Sequence, residues 1–221
     1  MVLRFAIGLL RRAEDGAAGR AGAAAAVAAL AEHGTMPTKG SFGIETGGAT
    51  VIPQVLALCL QCLAEADDGA EAMLGAMAGL VTETMDLQKQ GLTDVELGAL
   101  GKALPMLGRT ATPPTTLILD HNQFGAEGLR RLFAGWARGT VTVTTLYLSS
   151  NQLTAVPAEL GQLAGLTVLN LSYNQLTAVP PELGQLARLR TLALGEAQRA
   201  TMSPASEQLL AGLEAAGCRI D

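Results

Sequence analysis

The amino-acid sequence predicts an α/β solenoid: a parallel concave sheet on one side, helices or 3₁₀ turns on the convex side, and an N-terminal α-helical cap. The first observation is an internal repeat, since residues 146–168 recur almost verbatim as residues 169–191, and a third copy begins at Leu192. Repeats of this length cannot bury their own apolar side and stack on their neighbours. The second observation is Leu-x-Leu in each copy, the alternation of a short half-buried strand. The third is a run of helix-forming stretches in residues 1–80, such as AGAAAAVAALAEHG.

The repeat follows the pattern LxxLxLxxNxL, numbered here as positions one to eleven. Leu166, Leu169, Leu171, Asn174 and Leu176 fit it fully. Other units fit in part, through Met85, Leu87, Gln90 and Leu92; Leu117, Leu119, Asn122 and Phe124; Val143, Leu146, Leu148, Asn151 and Leu153; Leu192 and Leu194; and Cys218 and Ile220. Ala197 stands where the fifth unit would carry asparagine.

The asparagine at position nine follows each strand where the chain must turn back. Its amide can satisfy backbone groups that would otherwise be buried without partners. The sequence therefore predicts a structural ladder of Asn122, Asn151 and Asn174.

These motifs resemble the leucine-rich repeat family over about residues 82–221. Pro157 and Pro180 allow only a short helical turn in their units, which resemble the Ras-suppressor class. Two earlier, longer units resemble the ribonuclease-inhibitor class, whose convex side carries α-helices. One of them begins with a predicted capping box of Thr93 and Glu96, and the other places Trp136 on an apolar helix face, as a core residue.

The domain prediction assigns residues 1–80 to a helical cap and residues 81–221 to the repeats. Within the repeats, residues 200–221 form a closing helix and a strand stub; Ser203 and Pro204 begin that helix and Gly217 ends it. An independent function for residues 1–80 stays the alternative.

Composition and charge exclude several classes of protein. A net charge of −5 and 3% aromatic residues argue against a nucleic-acid groove. The longest uncharged run, residues 46–64, contains Gly47, Gly48 and Pro53, so it predicts a buried helix and no membrane segment. The N-terminus MVLRFAIGLLRR is interpreted as a first helix, with an organellar transit peptide as the alternative.

The cysteines indicate a reducing compartment. Cys59, Cys62 and Cys218 are expected to be buried packing residues, and with only His33 and His121 besides they form no metal site. The chain is therefore expected in the cytoplasm, with organellar targeting left open.

No catalytic constellation is found, so no enzyme activity, cofactor or metal is predicted. The glycine-rich SFGIETGG at 41–48 lacks phosphate-loop or dinucleotide-binding spacing and is interpreted as a loop. Asp120 and His121 form an acid–imidazole neighbour pair, but the following units place serine and tyrosine at the same positions, which favours a contact surface.

Function is expected on the strand positions that point away from the leucines. Both tyrosines of the chain fall there, and tyrosine is enriched in binding hot spots. The predicted partner-binding residues at positions five, seven and eight are Asp86, Gln88, Lys89, Ile118, Asp120, His121, Tyr147, Ser149, Ser150, Asn170, Ser172, Tyr173 and Glu196.

The function predicted from these features is a non-catalytic interaction module, a scaffold or signalling adaptor that binds a protein or peptide on the concave sheet. It is expected to be a monomer or weak dimer, without nucleic-acid or membrane partners. The family resemblance implies two alternatives: a regulator of a small GTPase, and a recognition portion related to a larger leucine-rich repeat enzyme or receptor.

Overall fold

The computed structural model describes residues 83–107, 113–134, 136 and 142–221. Within these ranges, six short parallel strands form one sheet in chain order. The strands are β1 Thr84–Asp86, β2 Thr116–Ile118, β3 Thr145–Tyr147, β4 Val168–Asn170, β5 Thr191–Ala193 and β6 Arg219–Ile220. Because neighbours in the sheet are neighbours in the chain, each connection returns along the other side, which is the arrangement of a solenoid. The predicted α/β solenoid is confirmed.

The register of the sheet aligns the same repeat position in every unit. Leu146 lies opposite Leu169, and Leu169 lies opposite Leu192. The less regular first unit joins the same column, with Met85 opposite Leu117. In the last unit Ile220 lies opposite Leu192, whereas the repeat pattern placed Cys218 there. The predicted alignment is therefore confirmed for β1 to β5, and for β6 it was wrong by two residues, because the pair Cys218 and Ile220 has the Leu-x-Leu spacing but only Arg219 and Ile220 form the strand.

The convex side is built in two ways. The connections between strands are α1 Asp94–Leu107, α2 Ala126–Ala134, two 3₁₀ turns at Ala158–Gln162 and Pro181–Gln185, and then α3 Glu196–Arg199 and α4 Pro204–Ala215. Pro157 and Pro180 hold extended backbone immediately before the 3₁₀ turns. The contrast between long helical units and short 3₁₀ units, predicted from repeat length and proline, is confirmed.

The first convex helix begins with the predicted capping box. The backbone N–H of Thr93 donates to the Glu96 carboxylate at 2.8 Å, and the Thr93 hydroxyl accepts from the N–H of Val95 at 3.3 Å. Partial burial opposes ionisation of Glu96, but the hydrogen bonds from Thr93 dominate and lower the pKa of Glu96 below its usual value. This cap fixes where α1 starts.

The core is a continuous column of leucines between the sheet and the convex elements. The leucines of the strand pattern are almost fully buried, and each such side chain contributes about 2 kcal/mol relative to an exposed one. Trp136 belongs to this core, as predicted. Its ring meets Phe133 edge-on with centroids 5.1 Å apart.

The end of the chain closes against the last strand. The hydroxyl of Ser203 accepts from the N–H of Ser206 at the start of α4, and Gly217 ends the helix with φ +92°. The N–H groups of Gly217 and Cys218 return to the carbonyls of Glu214 and Leu213, which is a Schellman motif. Residues 1–80 lie outside the described residues, so the division into a cap and a repeat region stays a prediction.

Candidate functional site

The sheet face opposite the leucine column carries a row of position-five side chains. Asp86, Ile118, Tyr147, Asn170 and Ala193 lie opposite one another on successive strands. All five are half-buried. Since adjacent strands are about 4.8 Å apart, each side chain in the row lies within reach of its neighbours.

A second row lies at position eight, where the chain leaves the strand. Lys89, His121, Ser150 and Tyr173 all have left-handed backbone, with φ between 54° and 56°. Left-handed backbone is unfavourable for these residue types, and it recurs because the turn geometry of each unit imposes it. Tyr173 is 82% exposed.

Three of the predicted site residues are placed differently from their row. Ser149 and Ser172, at position seven, are each only 9% exposed. Side chains alternate between the two faces only within the three-residue strand, and at position seven the chain is already turning. Glu196 is the first residue of α3, and the positive φ of its unit falls on Gly195 instead. Glu196 therefore does not continue the position-eight row.

Position three contributes a further row that the sequence analysis missed. Its residues precede the central leucine of each strand and are half-buried, like those that follow it. They are Thr116, Thr145, Val168 and Thr191. The same alternation that identified position five could have identified them.

The edge of the sheet is held by the predicted asparagine ladder. The amide of Asn151 donates to the carbonyls of Leu119 and Leu148, each at 3.1 Å, and its oxygen accepts from the N–H of Asn122 at 3.0 Å. The amides of Asn122 and Asn174 make equivalent bonds, each to one carbonyl of its own unit and one of the preceding unit. Each asparagine therefore joins two turns and satisfies backbone groups that are closed to water.

The ladder continues one unit beyond the last asparagine through Gln198. Its side-chain oxygen accepts from the N–H of Asn174 at 3.0 Å, and its amide donates to the carbonyl of Leu171 at 3.3 Å. Ala197, which occupies position nine of that unit, has no such group. The longer glutamine reaches the ladder from the next position, inside α3, and that one-residue shift hid it from pattern matching.

The charged residues at the β1–β2 end of the face are held in place by backbone contacts. Asp120 accepts from the N–H of Ser149 at 2.6 Å, and Asp86 accepts from the N–H of Gln88 at 3.0 Å. Burial raises the pKa of Asp120, against the effects of the Ser149 N–H and of His121, and the negative charge of Asp86 adds to the rise.

The described residues offer neither a cluster of metal ligands nor a helix that could span a membrane. No group of three or more histidine, cysteine, aspartate or glutamate side chains among them is arranged to hold a metal ion. No helix in that part of the chain has the length and apolar character needed to cross a bilayer.

Comparison with known proteins identifies the repeats. Residues 141–196 and residues 115–133 match two family models, each described as leucine rich repeat. Among 23 matching chains of solved structures is a leucine-rich repeat protein of Leptospira interrogans, 26% identical, with a TM-score of 0.41. The match covers 68% of this chain and 38% of that one, so the chain spans less than two fifths of its length. No curated protein shows significant similarity.

Proposed function

Because this chain is a leucine-rich repeat protein, we propose that it binds a protein or peptide partner on its concave sheet face, without catalysing a reaction. Leucine-rich repeat domains generally mediate protein–protein interaction, which supports the class of function. The observation that carries the proposal for this chain is Tyr173, which presents most of its ring to solvent from a left-handed turn. A large amphipathic side chain in that setting suits a contact with another molecule better than packing within the fold.

The second tyrosine supports the same surface. Tyr147 lies in the position-five row, one strand before the unit that carries Tyr173. Tyr173 follows Asn170, the strand partner of Tyr147, by three residues, so one partner can touch both rings. Around them lie hydroxyl and amide groups of Ser150, Asn170 and Thr145, which can act as the polar surroundings of such a contact.

The proposed surface extends from this pair toward β1. Tyr147 and Tyr173 act as anchors, and Asp86, Asp120 and His121 act as polar selectors. We further propose a cytoplasmic adaptor that acts as a monomer or weak dimer. The asparagine ladder keeps these side chains in register, so the surface is formed before a partner arrives and little ordering is required on binding.

The test is affinity purification with quantitative mass spectrometry from the native cell extract. Wild-type protein is compared with the double variant Tyr147→Ala/Tyr173→Ala. Each tyrosine is expected to contribute about 2 kcal/mol, so the double variant should lose its specific partner almost completely.

The matched control is Val95→Ala/Met106→Ala. These are the other two exposed large apolar residues in the described part of the chain, at 50% and 45%, and both lie on α1. A partner retained by the control and lost with the tyrosine variant supports the proposal. If wild type and the tyrosine variant recover the same specific proteins in equal amounts, the proposed surface is wrong. Circular dichroism shows whether each variant is folded.

A further inference from the structure

The β1–β2 end of the concave face differs chemically from the tyrosine region. Ile118 lies in register between Asp86 on one side and Tyr147 on the other. Asp120 follows Ile118 by two residues and is close enough to Asp86 for that charge to raise its pKa. An apolar side chain is thus bordered by two carboxylates and one aromatic ring.

Neither carboxylate is neutralised within the described part of the chain. The ion pairs there lie on α2, between α3 and α4, and at the chain end: Glu127 with Arg130 and Arg131, Glu214 with Arg199, and Asp221 with Arg219. Asp86 and Asp120 instead accept neutral N–H groups. Glu83 adds a third negative charge beside β1. His121 attracts Asp120 electrostatically but forms no ion pair with it, and Lys89 lies with His121 on the outer position-eight row.

We propose that the partner inserts an arginine side chain at this point, over Ile118 and between Asp86, Asp120 and Tyr147. This deepens the proposed function and rests on it. The argument is charge complementarity: a cation relieves the repulsion between the two fixed carboxylates, which no ion pair of the described residues does. Arginine fits better than lysine because its apolar stem can cover Ile118, its planar guanidinium stacks on tyrosine, and its fork of N–H groups can meet two carboxylates at once.

The experiment uses a random peptide library displayed on phage, selected against the wild-type chain of 221 residues. We expect the enriched peptides to share an arginine. Asp86→Asn and Asp120→Asn are the informative variants, because the asparagine oxygen can still accept the N–H of Gln88 or Ser149 while the charge is removed. Glu207→Gln is the matched control, since it removes one exposed carboxylate on α4, away from the sheet face.

An enriched synthetic peptide is then measured by fluorescence anisotropy. Each aspartate variant should weaken its binding about tenfold, the usual scale for one lost charge contact, and Glu207→Gln should leave it unchanged. Replacing the peptide arginine by neutral citrulline should weaken binding by a similar factor. The two changes together should cost less than the product of the single effects, because both remove the same contact.

Two results overturn the inference, and they differ in what else they remove. In the first, the enriched peptides contain no basic residue, and they bind wild type and the aspartate variants equally but do not bind Tyr147→Ala/Tyr173→Ala. This result overturns the arginine site and leaves the proposed binding face in place. Peptides that bind equally to the aspartate and the tyrosine variants overturn both proposals.

Discussion

The helical units and the 3₁₀ units cover the same leucine column with different convex elements. Units beginning at β1 and β2 cover the leucine column with α1 and α2, whereas those beginning at β3 and β4 cover it with five-residue turns. The sheet register does not change across this boundary, and on both sides of it the asparagine amide donates to the position-six carbonyls of its own unit and of the unit before. The sheet edge therefore defines the repeat, and the convex side can vary in length as long as it returns the chain to that edge.

The helical half (the units that begin at β1 and β2) and the 3₁₀ half (the units that begin at β3 and β4) also share a constraint on the convex side. A Cβ on Gly101 would lie 2.5 Å from the carbonyl oxygen of Leu132, and a Cβ on Gly161 would lie 2.5 Å from that of Glu182. In both cases the obstacle is backbone of the next unit, which cannot rotate away like a side chain. Helix and 3₁₀ turn alike need one position without a side chain where neighbouring units approach.

The largest effect on stability is expected from breaking the asparagine ladder, which both halves share. Asn151→Ala removes an amide that bonds three carbonyls and an oxygen that accepts the N–H of Asn122, all in a buried setting. The free energy of unfolding should fall by about 3 kcal/mol, because several buried groups lose partners together. Urea denaturation followed by circular dichroism measures it. A loss below that of Gln198→Ala would show that the ladder does not hold the two halves together.

Next in size are the two glycines, which test whether the halves tolerate overpacking equally. Gly101→Ala and Gly161→Ala should each lower the free energy of unfolding by about 2 kcal/mol, since the neighbouring backbone must move. Gly212→Ala is the control. It lies within α4 with nothing near its Cβ direction, so it should raise stability by about 0.5–1 kcal/mol. If Gly161→Ala leaves the free energy of unfolding unchanged while Gly101→Ala lowers it, the backbone beside the 3₁₀ turn can move to accept a methyl group and the backbone beside α1 cannot.

A smaller loss is expected at the end of the ladder. Gln198→Ala removes one bond to the N–H of Asn174 and one to the carbonyl of Leu171. The free energy of unfolding should fall by about 1 kcal/mol, because neighbouring Asn174 is already partly open to solvent. Hydrogen exchange of the Asn174 N–H should accelerate in the variant. An unchanged exchange rate would contradict the assigned role.

The smallest effect concerns Asp120 and depends on pH. Burial raises its pKa in the folded chain above the ordinary 3.8, so the charged carboxylate slightly disfavours folding. The stability that protonated Asp120 contributes is fully present below pH 3.8, and it is lost as the pH rises through the raised pKa of the folded chain. Asp120→Asn should therefore become more stable relative to wild type between acidic and neutral pH. Thermal unfolding across that range measures the difference, and the opposite slope would contradict the assignment.

The sequence was sufficient to predict β1 to β5, the register of these five strands and the two kinds of unit, because leucine spacing and proline position report directly on burial and backbone geometry. It also placed Asn122, Asn151 and Asn174. It could not identify Gln198, because a longer side chain one residue later satisfies the same backbone groups. The burial of Ser149 and Ser172 was missed for a related reason: alternation describes the strand, and the turn beyond it obeys different geometry.

The row of left-handed turns has a consequence for how this surface can change over time. Asparagine and glycine adopt that backbone more easily than tyrosine or lysine. Replacing Tyr173 or Lys89 by either should therefore raise the stability of the fold and remove a side chain that can contact a partner. The row is a place where selection for recognition and selection for robustness pull in opposite directions. Any engineered relative with improved heat resistance should be checked first at those turns.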